Sequence, residues 1–257
     1  MTVSQHKNRP YRWLADHYDT FFDFHREWFQ SARNRILTRI WPELDSACDL
    51  ACGTGTVALT LVARGLRTYA VDLSPRMCRL ARAKARTAGA SMRVIQADMR
   101  EFQLPQPVGL VLCNGDALNH VPRRADLARV ARSVARSLRP GGYFFFDVNN
   151  WKAFERIWPQ TLLLEAPGVA VVMRGSCDRP RRRGVTEAEW FFQDPRSALW
   201  QRHHERLEEV CWTPREIRQV LRDAGFQTVR AFDSSRYATQ GLTQPGCRTF
   251  YLARLAT

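Results

Sequence analysis

Two hydrophobic periods alternate along most of the chain. Short apolar runs bounded by turn residues read as strands buried on both faces, and stretches with apolar positions three or four apart read as the helices that cover them. The spacing predicts a short helix over Tyr11 to Asp19 and a second over Arg26 to Ile40, with Trp28, Phe29, Ala32, Ile36 and Ile40 on one face. Then come a strand at Ala47 to Ala51, a glycine turn, and a helix from Val57 to Arg64 stopped by Gly65. A second strand, Arg67 to Asp72, leads to a helix capped by Ser74, with Pro75 in its first turn, that runs to Ala88. Met92 to Gln96 and Val108 to Cys113 are the third and fourth strands, Arg124 to Leu138 is a long amphipathic helix, and Pro140-Gly141-Gly142 turns into a fifth strand, Tyr143 to Val148.

Strands separated by helices imply a parallel sheet covered on both faces. The alternation breaks after Asn149. Leu162 to Met173, Val185 to Gln193 and Leu199 to Val210 look extended, as an antiparallel insertion of two or more strands does. Helical spacing returns at Thr213-Pro214-Arg215-Glu216, a capping box with proline at the first helical position, in a helix that ends at Gly225. Strands near Thr228 to Phe232 and Thr249 to Arg254 close the sheet. The expected fold is therefore α/β: a Rossmann-like, doubly wound, seven-stranded sheet with an antiparallel β insertion after the fifth strand.

Composition narrows this little. The 257 residues are 45% hydrophobic and 25% charged, ordinary for a globular protein, and no apolar run is long enough to span a bilayer. The first ten residues are polar, so a cytoplasmic location is the expectation. Seven cysteines, odd in number and without a C-x-x-C pair, argue against a disulfide framework and a structural zinc site. The net charge of +14 rests almost wholly on arginine, since lysine occurs only at positions 7, 84 and 152. An RNA-binding surface is one reading of that charge. The arginines are spread over most segments, however, with one tight run at Arg179 to Arg183 that reads as a solvated hairpin turn.

The candidate chemistry lies at the strand ends. Asp49-Leu50-Ala51-Cys52-Gly53-Thr54-Gly55 follows a strand and opens a helix, and glycines there let backbone approach a ligand. Asp72, at the end of the next strand, can accept hydrogen bonds from both ribose hydroxyls. Gly53-x-Gly55-x-x-Ala58 also satisfies a dinucleotide fingerprint. Against a dehydrogenase stand the acid Asp49 at the end of the first strand, Asp98-Met99 after the third, and a chain that finishes without a second mononucleotide-binding half.

Asp49 to Gly55, Val71-Asp72-Leu73-Ser74, Ala97-Asp98-Met99, Leu112-Cys113-Asn114-Gly115-Asp116 and Leu138-Arg139-Pro140-Gly141-Gly142 resemble, in order, the successive motifs of class I S-adenosylmethionine-dependent methyltransferases. The resemblance spans about residues 11 to 150 and is weaker beyond. It implies S-adenosyl-L-methionine as cofactor. Ala51, Gly53 and Gly55 would lie beside its methionine part and Asp49 would position the amino group through the loop. Asp72 would hold the ribose, Leu73 and Met77 would pack on the adenine, Asp98 would bind the adenine amino group, and Met99 would lie against the ring. Asn114 would lie near the sulfonium, and Tyr18, in a Tyr-Asp pair of an N-terminal lid, would reach the cofactor or the acceptor.

Val169 to Phe226, with His203-His204-Glu205, resembles the acceptor lid of small-molecule members such as N,N-dimethyltransferases of amino sugars, a lid that is often a dimer contact. In those proteins a histidine shortly after the fourth strand faces the acceptor, and His120 matches it. The catalytic candidates are thus His120 and Tyr18, and no metal site is expected. The implied organisation is an N-terminal helical lid over 1–46, a cofactor-binding core over 47–150, an antiparallel acceptor lid over 151–211, and a C-terminal helix and strands over 212–257. The expected partner is a small-molecule acceptor for N- or O-methylation, with no membrane. A homodimer is compatible with the lid. RNA or protein methylation, and an inactive cofactor-binding scaffold, are the competing readings.

Overall fold

The computed structural model describes residues 13–22, 26–237 and 245–257, with backbone alone for Arg26 and Glu27. The start of the expected Tyr11 to Asp19 helix lies outside these residues. Within them the segment is a single 3-10 turn, Ala15–His17, followed by α1 (Tyr18–Phe22).

Next come α2 (Arg26–Ile36), β1 (Ser46–Leu50), α3 (Thr56–Val62), β2 (Arg67–Asp72), α4 (Pro75–Thr87), β3 (Met92–Gln96), β4 (Val108–Cys113), α5 (Arg124–Ser137) and β5 (Leu138–Asn149). The central strands β1 and β4 are buried at every position, which is why their sequences run apolar without alternation. Ser74 caps α4 by accepting the Met77 N–H at 3.3 Å, and Pro75 occupies the first turn, where its missing donor costs nothing.

After β5 the chain makes α6 (Trp151–Arg156) and four antiparallel strands, β6 (Thr161–Ala166), β7 (Val169–Asp178), β8 (Arg183–Gln193) and β9 (Trp200–Val210). It then returns through α7 (Pro214–Asp223), β10 (Phe226–Asp233) and β11 (Arg248–Leu255). The capping box of α7 is formed: the Thr213 hydroxyl accepts the Glu216 N–H at 3.2 Å, and the Glu216 carboxylate accepts the Thr213 N–H at 2.9 Å.

The main sheet has the order β10-β11-β5-β4-β1-β2-β3. β1 to β5 run parallel, and β11 is antiparallel to both its neighbours. One core packs the sheet against α5 and α7, with Val130, Val134, Ile217 and Leu221 under Phe144 and Phe146. The other packs it against α2 and α3, with Ala32, Leu61 and Leu110 at its centre. The expected seven-stranded, doubly wound architecture with an insertion after the fifth strand is present.

Three local readings need correction, and one helix has no counterpart in the sequence reading. The extended run Leu162 to Met173 is two strands, not one, because Pro167-Gly168 forms a hairpin with Gly168 at φ +74°. The second helix stops at Ile36; the next residues make single turns, with the Ile40 N–H donating to the Leu37 carbonyl, ahead of Trp41-Pro42. The fifth strand starts at Leu138, so Pro140 to Gly142 lie within it. The helix α6 carries too few turns for a period to show; it is set by Asn150, whose side chain accepts the Lys152 N–H at 3.0 Å.

One face of the four-stranded sheet is covered by the N-terminal segment. Leu14 and Phe21 pack on Val169, Val171, Ala188 and Trp190. Trp13 stacks on His203, ring centroids 3.7 Å apart. The insertion and the N-terminus thereby make one roof over the carboxyl ends of the parallel strands. No helix among the described residues is long and apolar enough to cross a membrane.

Candidate active site

Chain order in the sheet reverses between β1 and β4, and a crevice opens outside the carboxyl ends of strands at such a switch point. A cleft of about 1380 Å³ lies there, between the tips of β1 to β4 below and Trp13, Tyr18, His204 and Glu205 above.

The first wall is the glycine turn. Ala51 and Gly53 both have left-handed backbones, φ +58° and +53°, and both line the cleft. A Cβ placed on Gly53 would meet no protein atom within 4 Å. Asp72 ties this turn to the next strand: one carboxylate oxygen accepts the Gly53 N–H at 2.9 Å and the other the Ser74 N–H at 2.8 Å. Burial raises its pKa, against the pull of those two donors. Each oxygen keeps a second lone-pair direction for a ligand hydroxyl.

The apolar wall is Leu73, 56% exposed at the mouth, with Met77 buried and Met99 half-buried. Asp98 also lines the cleft, but its carboxylate is held by the Arg100 Nε at 2.9 Å and 3.0 Å, which lowers its pKa. Its side chain is thus engaged within its own loop. Asn114 lies on the wall at the end of β4, and its buried Nδ2 has no hydrogen-bond partner. Tyr18 reaches the same cleft from α1; burial, then the charge of Asp116, raises its pKa.

Two expected cofactor residues stand behind the wall. Asp49 is 2% exposed and does not line the cleft. Burial pushes the pKa of its carboxyl up to about 7, with the Arg33 charge and then the Ala58 backbone opposing. Arg33, buried on α2, donates to the Thr60 hydroxyl at 3.1 Å, and burial brings its own pKa down to about 10. Gly55, at φ +82°, faces α4, where a Cβ would stand 2.9 Å from the Ala81 Cβ. Both residues shape the turn from beneath.

The other half of the cleft is polar and was largely missed from sequence. His120 lines it. Its Nδ1 is 3.2 Å from the Glu208 carbonyl oxygen and its Nε2 is 3.9 Å from Glu209 Oε1. Burial lowers the pKa of His120 and raises that of Glu209, so both groups are driven toward their neutral forms. Asn149 donates to Glu209 at 3.2 Å, and Asn119 braces this corner through the Asn149 and Val210 carbonyls.

Beside it, Asp147 accepts the Gly115 N–H at 2.9 Å and the Asp116 N–H at 3.0 Å. Arg248 from β11 pairs with both Asp147 and Asp116, the latter at 2.9 Å. Asp116, His120 and Glu209 each bring a possible ligand atom within 4.8 Å of one another, although Arg248 and Asn149 already engage the two acids. His203 turns inward onto Trp13, whereas the His204 ring pairs with Glu187 and Glu189. Of the arginine run, Arg182 is not simply solvated: it forks onto Glu216 of the capping box.

Comparison with known proteins agrees with this geometry. Residues 47–142 match the family described as methyltransferase domain. The chain is an S-adenosylmethionine-dependent methyltransferase. YqeM of Bacillus subtilis (strain 168), a methyltransferase by name, is 26% identical over 192 residues, covering 74% of this chain and 76% of its own. Among solved structures, an S-adenosylmethionine-dependent methyltransferase from Clostridium acetobutylicum superposes with a TM-score of 0.79 at 23% identity, covering 97% of this chain and all of the other. The sugar N-methyltransferase KedS8 from Streptoalloteichus sp ATCC 53650 gives 0.74 at 22% identity, over 100% of this chain and 97% of its own.

The cleft fits the cofactor. An open glycine backbone at Gly53, a carboxylate at Asp72 with lone pairs to spare, and an unpartnered buried amide at Asn114 face one space.

Proposed function

We propose that the methyl acceptor is a small polar molecule bearing an amine or hydroxyl group, of the amino-sugar kind, held in the His120 end of the cleft. The observation that carries this reading is the buried polar corner around His120, Glu205 and Glu209, roofed by the insertion and the N-terminal segment. A roofed cleft suits a compact acceptor better than a nucleic acid, and the resemblance of the fold to a sugar N-methyltransferase supports it.

In this reading Gly53 and Asp72 hold the cofactor, Leu73, Met77 and Met99 enclose its adenine, and Asn114 and Tyr18 border the transfer point. Asp98 contributes to the rim, and Asp49 and Gly55 fix the turn. When bound, S-adenosylmethionine supplies a methyl group already activated by its sulfonium. The chain's task is then to align an acceptor lone pair and exclude water.

The Nδ1–H of His120 donates to the Glu208 carbonyl, which assigns the tautomer and leaves a lone pair on Nε2. Nε2 takes the proton that an ammonium or hydroxyl acceptor must lose. Because burial keeps the imidazole neutral, the base is ready at neutral pH. Tyr18, with its hydroxyl kept protonated by burial and lying beside Gly115, offers a hydrogen-bond donor to the acceptor.

The test is a panel of amino sugars and hydroxylated small molecules, with RNA and protein as further arms, incubated with isotopically labelled cofactor and read by mass spectrometry. Label in an amino sugar or similar acceptor is the expected result. Label confined to RNA or protein, with a steep salt dependence in the RNA case, refutes the proposal.

A further inference from the structure

In a chain whose positive charge is almost all arginine, one of the three lysines sits behind the cofactor turn. Lys84, on α4, has its Nζ 2.6 Å from Asp19 Oδ2, 2.9 Å from the Thr54 hydroxyl and 2.6 Å from the Thr56 hydroxyl. The Thr54 hydroxyl itself donates to Asp19 Oδ1 at 2.7 Å. An ammonium has three donors on one tetrahedral centre, and three oxygens from two other elements meet all of them. A guanidinium, planar and longer, cannot converge on three oxygens in this way.

The elements joined are the ones that form the cofactor's enclosure. Asp19 follows Tyr18 on α1, which faces the cleft. Thr54 lies between Gly53 and Gly55, and Thr56 opens α3. A second pair, Arg76 with Asp16, joins α4 to the same N-terminal segment.

We propose that Lys84 is a positioning residue for cofactor binding. It latches the N-terminal segment that carries Tyr18 to the back of the glycine turn, so that the nucleoside pocket is assembled before the cofactor arrives. Lys84 lies behind the turn and touches neither substrate. Loosening the latch populates an open arrangement, and apparent affinity falls by the fraction of molecules still closed. This inference concerns the cofactor half alone and does not depend on which acceptor is used.

Calorimetric titration of the full chain with S-adenosylmethionine and its demethylated product tests it, with the wild type as reference. Lys84→Met is expected to weaken both ligands about tenfold, the effect of a closed fraction reduced to about a tenth. Lys84→Arg is expected to recover less than half of that loss on a logarithmic scale. Turnover at saturating cofactor is expected to stay near wild type, so the defect falls on the KM for cofactor and not on kcat. Asp19→Asn added to Lys84→Met is expected to cause little further loss, because both remove one latch.

Should Lys84→Met fail to fold, Thr56→Val and Asp19→Asn alone carry the same test, the first removing one acceptor of the ammonium and the second its counter-charge. Unchanged affinity in a folded variant, full recovery by Lys84→Arg, or independent additive losses at Lys84 and Asp19 overturns the proposal. Absence of binding by the wild type would instead overturn the cofactor assignment.

Discussion

Gly53 and Gly55 belong to one motif, yet the structure gives them different work, and replacing each by alanine separates the two. Both have left-handed backbones, so either substitution costs roughly 1–2 kcal/mol for placing a Cβ there. At Gly55 the new Cβ would also stand 2.9 Å from the Ala81 Cβ, 3.1 Å from the Met92 Cε and 3.2 Å from the Ala81 Cα. The Met92 methyl can swing aside, but the Ala81 backbone sits in the middle of α4 and cannot. Overpacking of that kind adds about 1–3 kcal/mol. Gly55→Ala should therefore destabilise by about 2–5 kcal/mol in total, a fall in Tm of roughly 5–15 °C for a chain of this size.

At Gly53 nothing lies within 4 Å, so only the conformational cost applies, while the methyl group would protrude into the cleft. Gly53→Ala should melt only a few degrees below wild type but bind S-adenosylmethionine at least tenfold more weakly, a loss of about 1.4 kcal/mol. Differential scanning calorimetry and titration with cofactor, run on both variants at one temperature, decide the matter. If Gly53→Ala is the less stable of the two, or Gly55→Ala melts with the wild type, the division of labour drawn here is wrong.

Three further outcomes follow from the polar half of the cleft. His120→Ala should lower kcat by about 10²–10⁴-fold while leaving cofactor affinity within a factor of two or so; equal loss of both, or no loss, contradicts the base assignment. Because burial lowers the pKa of His120 below its ordinary 6.5, its neutral form persists to lower pH. The acid limb of kcat/KM should accordingly fall below pH 6.5, with activity lost as pH drops, and should vanish in the variant. Arg248→Met would leave Asp147, fully buried, without its counter-charge, a loss of about 3–5 kcal/mol in chemical denaturation; a variant within about 1 kcal/mol of wild type would mean that the pair is not holding the loop after β4.

The parallel half of the fold is legible in the sequence because its signals are local. A buried five-residue strand, a glycine stop and a Ser-Pro cap each lie within a few residues, and β2, β3 and β4 have the bounds expected from sequence. The insertion is harder to read. Along β9 one face bears Gln201, His203, Glu205, Leu207 and Glu209, and the other Arg202, His204, Arg206 and Glu208. Both faces are polar, so no alternation of hydrophobicity marks which one is buried. Glu205 and Glu209 are buried nonetheless, Glu209 against Asn149 and His120.

The same contrast divides the site. Asp72, Gly53, Leu73 and Met77 form their part of the cleft through neighbours near in sequence or on adjacent strands. The polar corner is assembled from pieces far apart in the chain: Asp147 binds the turn at Gly115, Arg248 joins Asp116 across 132 positions, and His120 meets Glu208 across 88. A motif can announce the first kind of arrangement, but only packing reveals the second. The consequence is functional. The Asp72 half of the cleft is set by short-range constraints, while the His120 half depends on how the insertion and the last strand dock. On the proposed reading, changes of acceptor can therefore arise in β9 and its neighbours without disturbing Asp72 or the glycine turn. On the proposed reading, the choice of acceptor rests on the His120 end of the cleft, where Glu205 lines the wall, and not on the strand-tip acids.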